Sequence, residues 1–166
     1  MKLLIALLLA AAQAAAQPPG AKGPLAMFDR LAGSCWTTNF VPVNASIPSG
    51  DSLDTHCFSV LYDGQYVRDA HRVTRQGQVI YRGETTYSRD GEQVEFVYLN
   101  SLGGVSRGTA IASPEGIQFT SIYRAPGEEK PKEIASRWRW SGPDSYDVWD
   151  DDNWIRYSRG GEPEQL

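Results

Sequence analysis

The chain has 166 residues, 41% hydrophobic and 22% charged, with 16 basic and 20 acidic side chains, two Cys and two His. That is the length of one domain. A net charge of −4 without a basic run excludes a binder that tracks nucleic-acid phosphates, and so few thiols and imidazoles argue against a zinc ribbon or a di-metal enzyme.

The chain opens MKLLIALLLAAAQAAAQ: one Lys, an apolar run from Leu3 to Ala12, then small residues ending at Ala16. This is the pattern of a secretory signal peptide, with cleavage expected near Ala16. The strongly apolar stretch is about half the roughly 20 residues that span a bilayer, and no Cys follows to carry a lipid, so no membrane anchor is expected. The reading divides the chain into a signal peptide (1–16), a flexible leader (17–24), a folded domain (25–160) and a C-terminal tail (161–166). Export places the protein in a periplasmic or extracellular space. There Cys35 and Cys57 are expected to form a disulfide, contributing roughly 3 kcal/mol by closing their loop.

Past the leader, Leu25, Phe28 and Leu31 recur at helical spacing, and Gly33 supplies a stop, predicting one short helix. Everything after it reads as strand and turn. Signals such as Asp63-Gly64, Gln76-Gly77, Asp90-Gly91 and Pro126-Gly127 separate segments rich in Val, Ile, Thr, Tyr, Phe and Trp. Ten strands are expected, near 34–41, 53–62, 65–75, 78–88, 93–100, 104–113, 117–124, 133–141, 145–150 and 153–159. Successive hairpins without a crossover helix predict an all-β, antiparallel up-and-down β-barrel, closed or partly open. A sandwich is the alternative. Glu128 to Glu133 reads as a charged loop, and Asp150 to Asn153 as a tight turn rather than a calcium loop, since the distal Glu is missing. Asn44-Ala45-Ser46 matches the N-glycosylation pattern.

Strand alternation assigns the faces. His56, Phe58, Val60 and Tyr62 form the apolar, inward set of their strand. In the next, Val67, Asp69, His71 and Val73 face in, because the opposite choice would bury Arg68 and Arg72. A two-residue type I′ turn at Asp63-Gly64 then pairs Val60 with Val67, Phe58 with Asp69, and His56 with His71. Bridged Cys35 and Cys57, taken as directly opposed, place Trp36 opposite His56. A three-residue loop at Arg75-Gln76-Gly77 places Tyr81 opposite His71 and keeps Val79, Tyr81, Thr85 and Tyr87 inside. The expected inner row is therefore Trp36, His56, His71 and Tyr81, with Asp69 one step along. Phe96, Tyr98, Phe119, Tyr123, Trp138, Trp140 and Tyr146 add aromatic lining.

Such a row can satisfy itself as a buried polar network, or orient a small apolar or aromatic ligand at the mouth of a barrel. Trp36, His56, Asp69, His71 and Tyr81 are the candidate binding residues. Facing histidines with a carboxylate could also ligate a metal, or place one His as a base oriented by Asp69. No nucleophile elbow, phosphate loop or metalloprotease motif accompanies them. No catalytic residue or required cofactor is assigned, and neither ligand identity nor oligomeric state is legible.

At Leu31-Ala32-Gly33-Ser34-Cys35-Trp36 the chain resembles the calycin superfamily, the lipocalins and fatty-acid-binding proteins, where a short helix leads into a first strand carrying Gly-x-Trp. Here the spacing is Gly-x-x-Trp. The resemblance to small exported lipocalin-like bacterial domains runs from about Leu25 to Arg159. It implies a barrel of eight or ten strands and a hydrophobic ligand. A haem-binding branch, the nitrobindin-like proteins, uses a barrel histidine, which makes haem the alternative cofactor; their glycine-rich opening is missing here.

Overall fold

The strand-and-turn pattern closes on itself. A computed structural model describes residues 20–40, 52–150 and 153–160; the expected signal peptide, the Asn44 pattern, most of the Asp150–Asn153 turn and the C-terminal tail lie outside them. The strands are β1 (Ser34–Phe40), β2 (Ser52–Leu61), β3 (Tyr66–Arg75), β4 (Gln78–Asp90), β5 (Gln93–Asn100), β6 (Val105–Ser113), β7 (Gly116–Arg124), β8 (Lys132–Gly142), β9 (Ser145–Asp150) and β10 (Asn153–Arg159). Each pairs antiparallel with its successor, and β1 pairs with β10. The result is a closed ten-stranded up-and-down barrel, which sets the sandwich aside and is compatible with a ligand-binding barrel.

The short helix is a 3-10 turn, Gly23–Phe28. Its Leu25 and Phe28, with Leu31 beyond it, are fully buried and plug the barrel end that carries the β2–β3 turn. Gly33, at a φ of +73°, redirects the chain into β1, a conformation costly for any residue with a Cβ. Above the plug, aromatic side chains fill the interior. Phe28 meets Tyr87 (ring centroids 4.2 Å apart), Phe119 meets Trp138 (4.6 Å), and Trp138 and Tyr157 each contact Tyr146. Burying rings of this size supplies most of the favourable packing available to a barrel of this width.

Cys35 and Cys57 are directly opposed and joined in a disulfide, which suits an oxidising compartment. Trp36 faces His56 and His56 faces His71, as expected. The β2–β3 connection is longer than the expected two-residue turn. Tyr62, Asp63 and Gly64 all take positive φ, and the last pair is Leu61 with Tyr66. Extending the loop by one residue on each side leaves the register unchanged. The β3–β4 expectation needs correction. Arg75 pairs with Gln78, so Gln76 and Gly77 make a two-residue turn, and the ladder shifts between Val73 and Thr74. Tyr81 therefore pairs with Val73, and Gly83 faces His71. The same bulge turns Val79 outward, where it is exposed.

Candidate functional site

The middles of β2 and β3 bring the protein's two histidines together inside the barrel. Their rings stack face to face, with centroids 4.1 Å apart and an interplanar angle of 14°. This leaves no slot between them for a planar macrocycle. Four acidic or phenolic groups surround the stack. Asp69, inward on β3, takes His56 Nδ1 at 2.8 Å. Asp54, two residues before His56 and therefore on the same face, lies 2.8 Å from His71 Nε2 and 3.8 Å from His56 Nε2 through its Oδ1. Its other oxygen accepts a 2.8 Å hydrogen bond from Tyr157 Oη on β10. Tyr81 meets the His71 ring edge-on at 5.2 Å, and its hydroxyl is hydrogen-bonded to that of Tyr98 on β5.

The electrostatics follow from this geometry. Burial alone would lower the His56 pKa, but the carboxylates of Asp69 and Asp54 outweigh it and hold the group at about 9. Burial would raise Asp54, yet the imidazoles of His71 and His56, with the Tyr157 hydroxyl, bring it down to about 2. Burial pushes the phenols of Tyr81, Tyr98 and Tyr157 up, so they remain donors. At neutral pH the cluster therefore holds an ionised Asp54 and a protonated His56.

The cluster is not closed. Among the described residues, the buried side-chain polar atoms without a hydrogen-bond partner are Ser52 Oγ, Asp54 Oδ1, Asp69 Oδ1, His71 Nε2 and Tyr146 Oη. All five sit at inward positions of β2, β3 and β9. Buried polar atoms are nearly always paired in folded proteins, so these five stand out in the barrel interior. Asp54 and Val73 lie one step from the histidines toward the end opposite the 3-10 plug, and Asp69 one step toward the plug. The His56 and His71 side chains keep 17% and 14% of their accessibility, against 4% for Asp54 and 3% for Asp69. Inward positions across the barrel toward the unplugged end carry the small residues Ser106, Gly108, Ser121 and Ser136.

Of the five expected binding residues, four meet here: His56, Asp69, His71 and Tyr81. Trp36 does not join them. It is buried, its Nε1 donates to the Leu31 carbonyl at 3.1 Å, and its ring lies edge-on to Tyr146 and beneath the Arg159 guanidinium. Its role is to lock the plug onto β1. Asp54, Tyr98 and Tyr157 were missed. Asp54 was within reach of the alternation that selected His56; Tyr98 and Tyr157 come from distant strands, and their contacts depend on barrel closure.

A concavity of about 630 Å³ lies on the opposite side of the same strands. Its walls are mainly outward positions: Arg68, Arg72, Arg82, Glu84 and Leu99 around the Cys57–Ala70 floor, with Phe58 and His71 on the strands between. Arg68 is paired there with Glu84 at 2.6 Å. The described residues thus present an outer groove and an inner cluster back to back across β3. No known protein-family model and no curated protein matches the sequence.

Proposed function

We propose that the protein is an exported lipocalin-like binding protein that takes a small apolar or aromatic molecule at the unplugged end of its barrel. The observation that carries this reading is the inner set of buried polar atoms, Ser52 Oγ, Asp69 Oδ1 and Tyr146 Oη without a hydrogen-bond partner and the Asp54–His71 ion pair beside them, set among aromatic rings. An apolar ligand with a few polar groups suits such a surface, because convergent polar atoms fix its orientation while the rings supply contact area. His56, Asp69, His71 and Tyr81 are the orienting groups, while Trp36 on β1 ties the plug to the barrel through the Leu31 carbonyl. The short sequence likeness at Gly33 to Trp36, the disulfide and the closed barrel are in keeping with a calycin-type carrier.

The test is a titration of the tag-free mature protein with anilinonaphthalene sulfonate, an apolar aromatic probe, followed by fluorescence. Saturable one-to-one binding with a micromolar Kd is expected. Ser121→Trp or Ser136→Trp, which fill the inner face opposite the histidines, should weaken it at least about tenfold, whereas Leu99→Asp in the outer groove should not. Weakening by Leu99→Asp alone would move the site outside the barrel and overturn the reading.

A further inference from the structure

His71 Nε2 and Asp54 Oδ1, paired at 2.8 Å, do more than line a wall. Together with His56 they share one small space, in which three donor atoms lie within 4.8 Å of one another. We infer that Asp54, His56 and His71 form a binding site for a first-row divalent transition-metal ion of the zinc type.

Three independent features support it. The first is spacing. A metal held at about 2.0–2.2 Å from nitrogen and oxygen ligands needs donors roughly 3.4 Å apart in tetrahedral geometry. The separations of Asp54 Oδ1 from His71 Nε2 and His56 Nε2, 2.8 and 3.8 Å, bracket that value. The second is the support behind the ligands. Asp69 takes His56 Nδ1 at 2.8 Å, which fixes the ring and leaves Nε2 to face the shared point. Tyr157 donates to Asp54 Oδ2 and so directs Oδ1 inward. The third is that Oδ1 of Asp54, almost wholly buried, faces the imidazole nitrogens of His71 and His56 at 2.8 and 3.8 Å, the donor set a metal ion would share.

With the Nε2 proton of His56 released to solvent as the ion binds, two imidazole nitrogens and one carboxylate oxygen form a borderline donor set suited to Zn²⁺, Co²⁺, Ni²⁺ or Cu²⁺ rather than to Ca²⁺ or Mg²⁺, which favour all-oxygen sites. Three protein ligands leave at least one coordination position for a small molecule, on the side where the histidines meet solvent. The inference does not depend on the binding of an apolar ligand. A metal would bind here in a barrel that carries nothing else, and an apolar molecule could bind with no metal present. Asp69 is a positioning residue in this arrangement, not a ligand.

The experiment uses chelator-treated, tag-free mature protein titrated with Zn²⁺ by calorimetry and with Co²⁺ by visible absorption. One equivalent of Zn²⁺ is expected with a Kd at or below micromolar, and Co²⁺ should give the intense d–d bands of low-coordinate sites. Asp54→Asn combined with His71→Gln should abolish both, while Asp69→Asn should retain one equivalent at an affinity about 10- to 100-fold weaker. Asp147→Asn, on the outer wall, should leave binding unchanged. Imidazole ¹⁵N spectra of the unmutated protein provide the readout if a variant fails to fold. Zn²⁺ should shift the Nε2 signals of both His56 and His71. Millimolar or undetectable binding, or Nε2 signals that do not respond to Zn²⁺, would overturn the assignment. Equal binding by the folded double variant would do so too.

Discussion

Two buried carboxylates, Asp54 inside the barrel and Asp147 on its outer wall, are each about 97–98% hidden from solvent, and each is held near a pKa of 2. Their surroundings differ in one respect. Asp147 is clasped by Arg139 and Arg156: Arg156 Nε donates to Oδ1 at 2.8 Å, Arg139 Nε to Oδ2 at 3.0 Å, and Arg156 Nη2 to Oδ2 at 3.3 Å. The guanidinium of Arg139 also stacks on Trp154, 4.0 Å from the ring. Both of its oxygens are used. Asp54 has one oxygen bonded to Tyr157 and the other paired with His71 Nε2 at 2.8 Å, 3.8 Å from His56 Nε2. Equal burial and equal charge therefore describe two kinds of site. The outer cluster is a strut across β8, β9 and β10 held by guanidiniums, and the inner cluster is held by imidazoles and a phenol, with Asp69 Oδ1 left without a hydrogen bond.

Removing one member of each cluster gives the widest contrast. Asp69→Ala leaves the buried His56 without its principal partner and is expected to destabilise the fold by roughly 3–5 kcal/mol, measured by denaturant unfolding in chelator. Asp147→Ala returns two largely exposed guanidiniums to water and should cost about 1 kcal/mol. Equal losses would erase the distinction between the clusters.

Acidity separates them further. His56 keeps its proton up to about pH 9 in the folded protein, against about 6.5 unfolded. Its contribution is complete below about pH 6.5 and disappears as pH rises through 9, a loss of about 3 kcal/mol. Asp54 and Asp147 work in the other direction: their contributions are complete above about 3.8 and vanish as pH falls through 2. Urea midpoints across this range should show an alkaline decline that Asp69→Asn reduces and Asp147→Asn does not. A decline of the same size in Asp69→Asn would remove His56 as its cause.

The smallest expected effect sharpens the packing around the inner cluster. A Cβ on Gly83 would come within 2.6 Å of the Tyr98 ring. Gly83→Ala should therefore displace Tyr98 from Tyr81, costing about 1–2 kcal/mol, and Tyr98→Phe should lose less because the ring stays. A cost for Tyr98→Phe matching that of Gly83→Ala would place the effect in the hydroxyl pair instead.

Much of this architecture was legible before any coordinates. Ten strands and the His56–His71 pairing follow from turn residues, from face parity and from the cost of burying Arg68 and Arg72. The β2–β3 register survived a wrong turn type, because adding one loop residue to each strand end conserves the pairing. The β3–β4 register did not survive, since a bulge beside Val73 leaves no local mark in Thr74 to Tyr81 and yet moves Val79 to the other face. Tyr157 reaches Asp54 from 103 residues away, a contact that exists only because β10 closes onto β1. Asp54 was readable by parity alone. Nothing in the sequence indicates which imidazole its Oδ1 would meet, for that depends on the angle at which His71 approaches.

The most direct measurement is a high-resolution crystal structure of the protein purified from its native source, with unbiased density examined around Asp54 Oδ1 and His71 Nε2. Non-protein density within bonding distance of at least one of these atoms, and none joined to Asp147, is the expected result. An inner cluster whose oxygens and nitrogens are all satisfied by protein side chains, as those of Asp147 are, would contradict it.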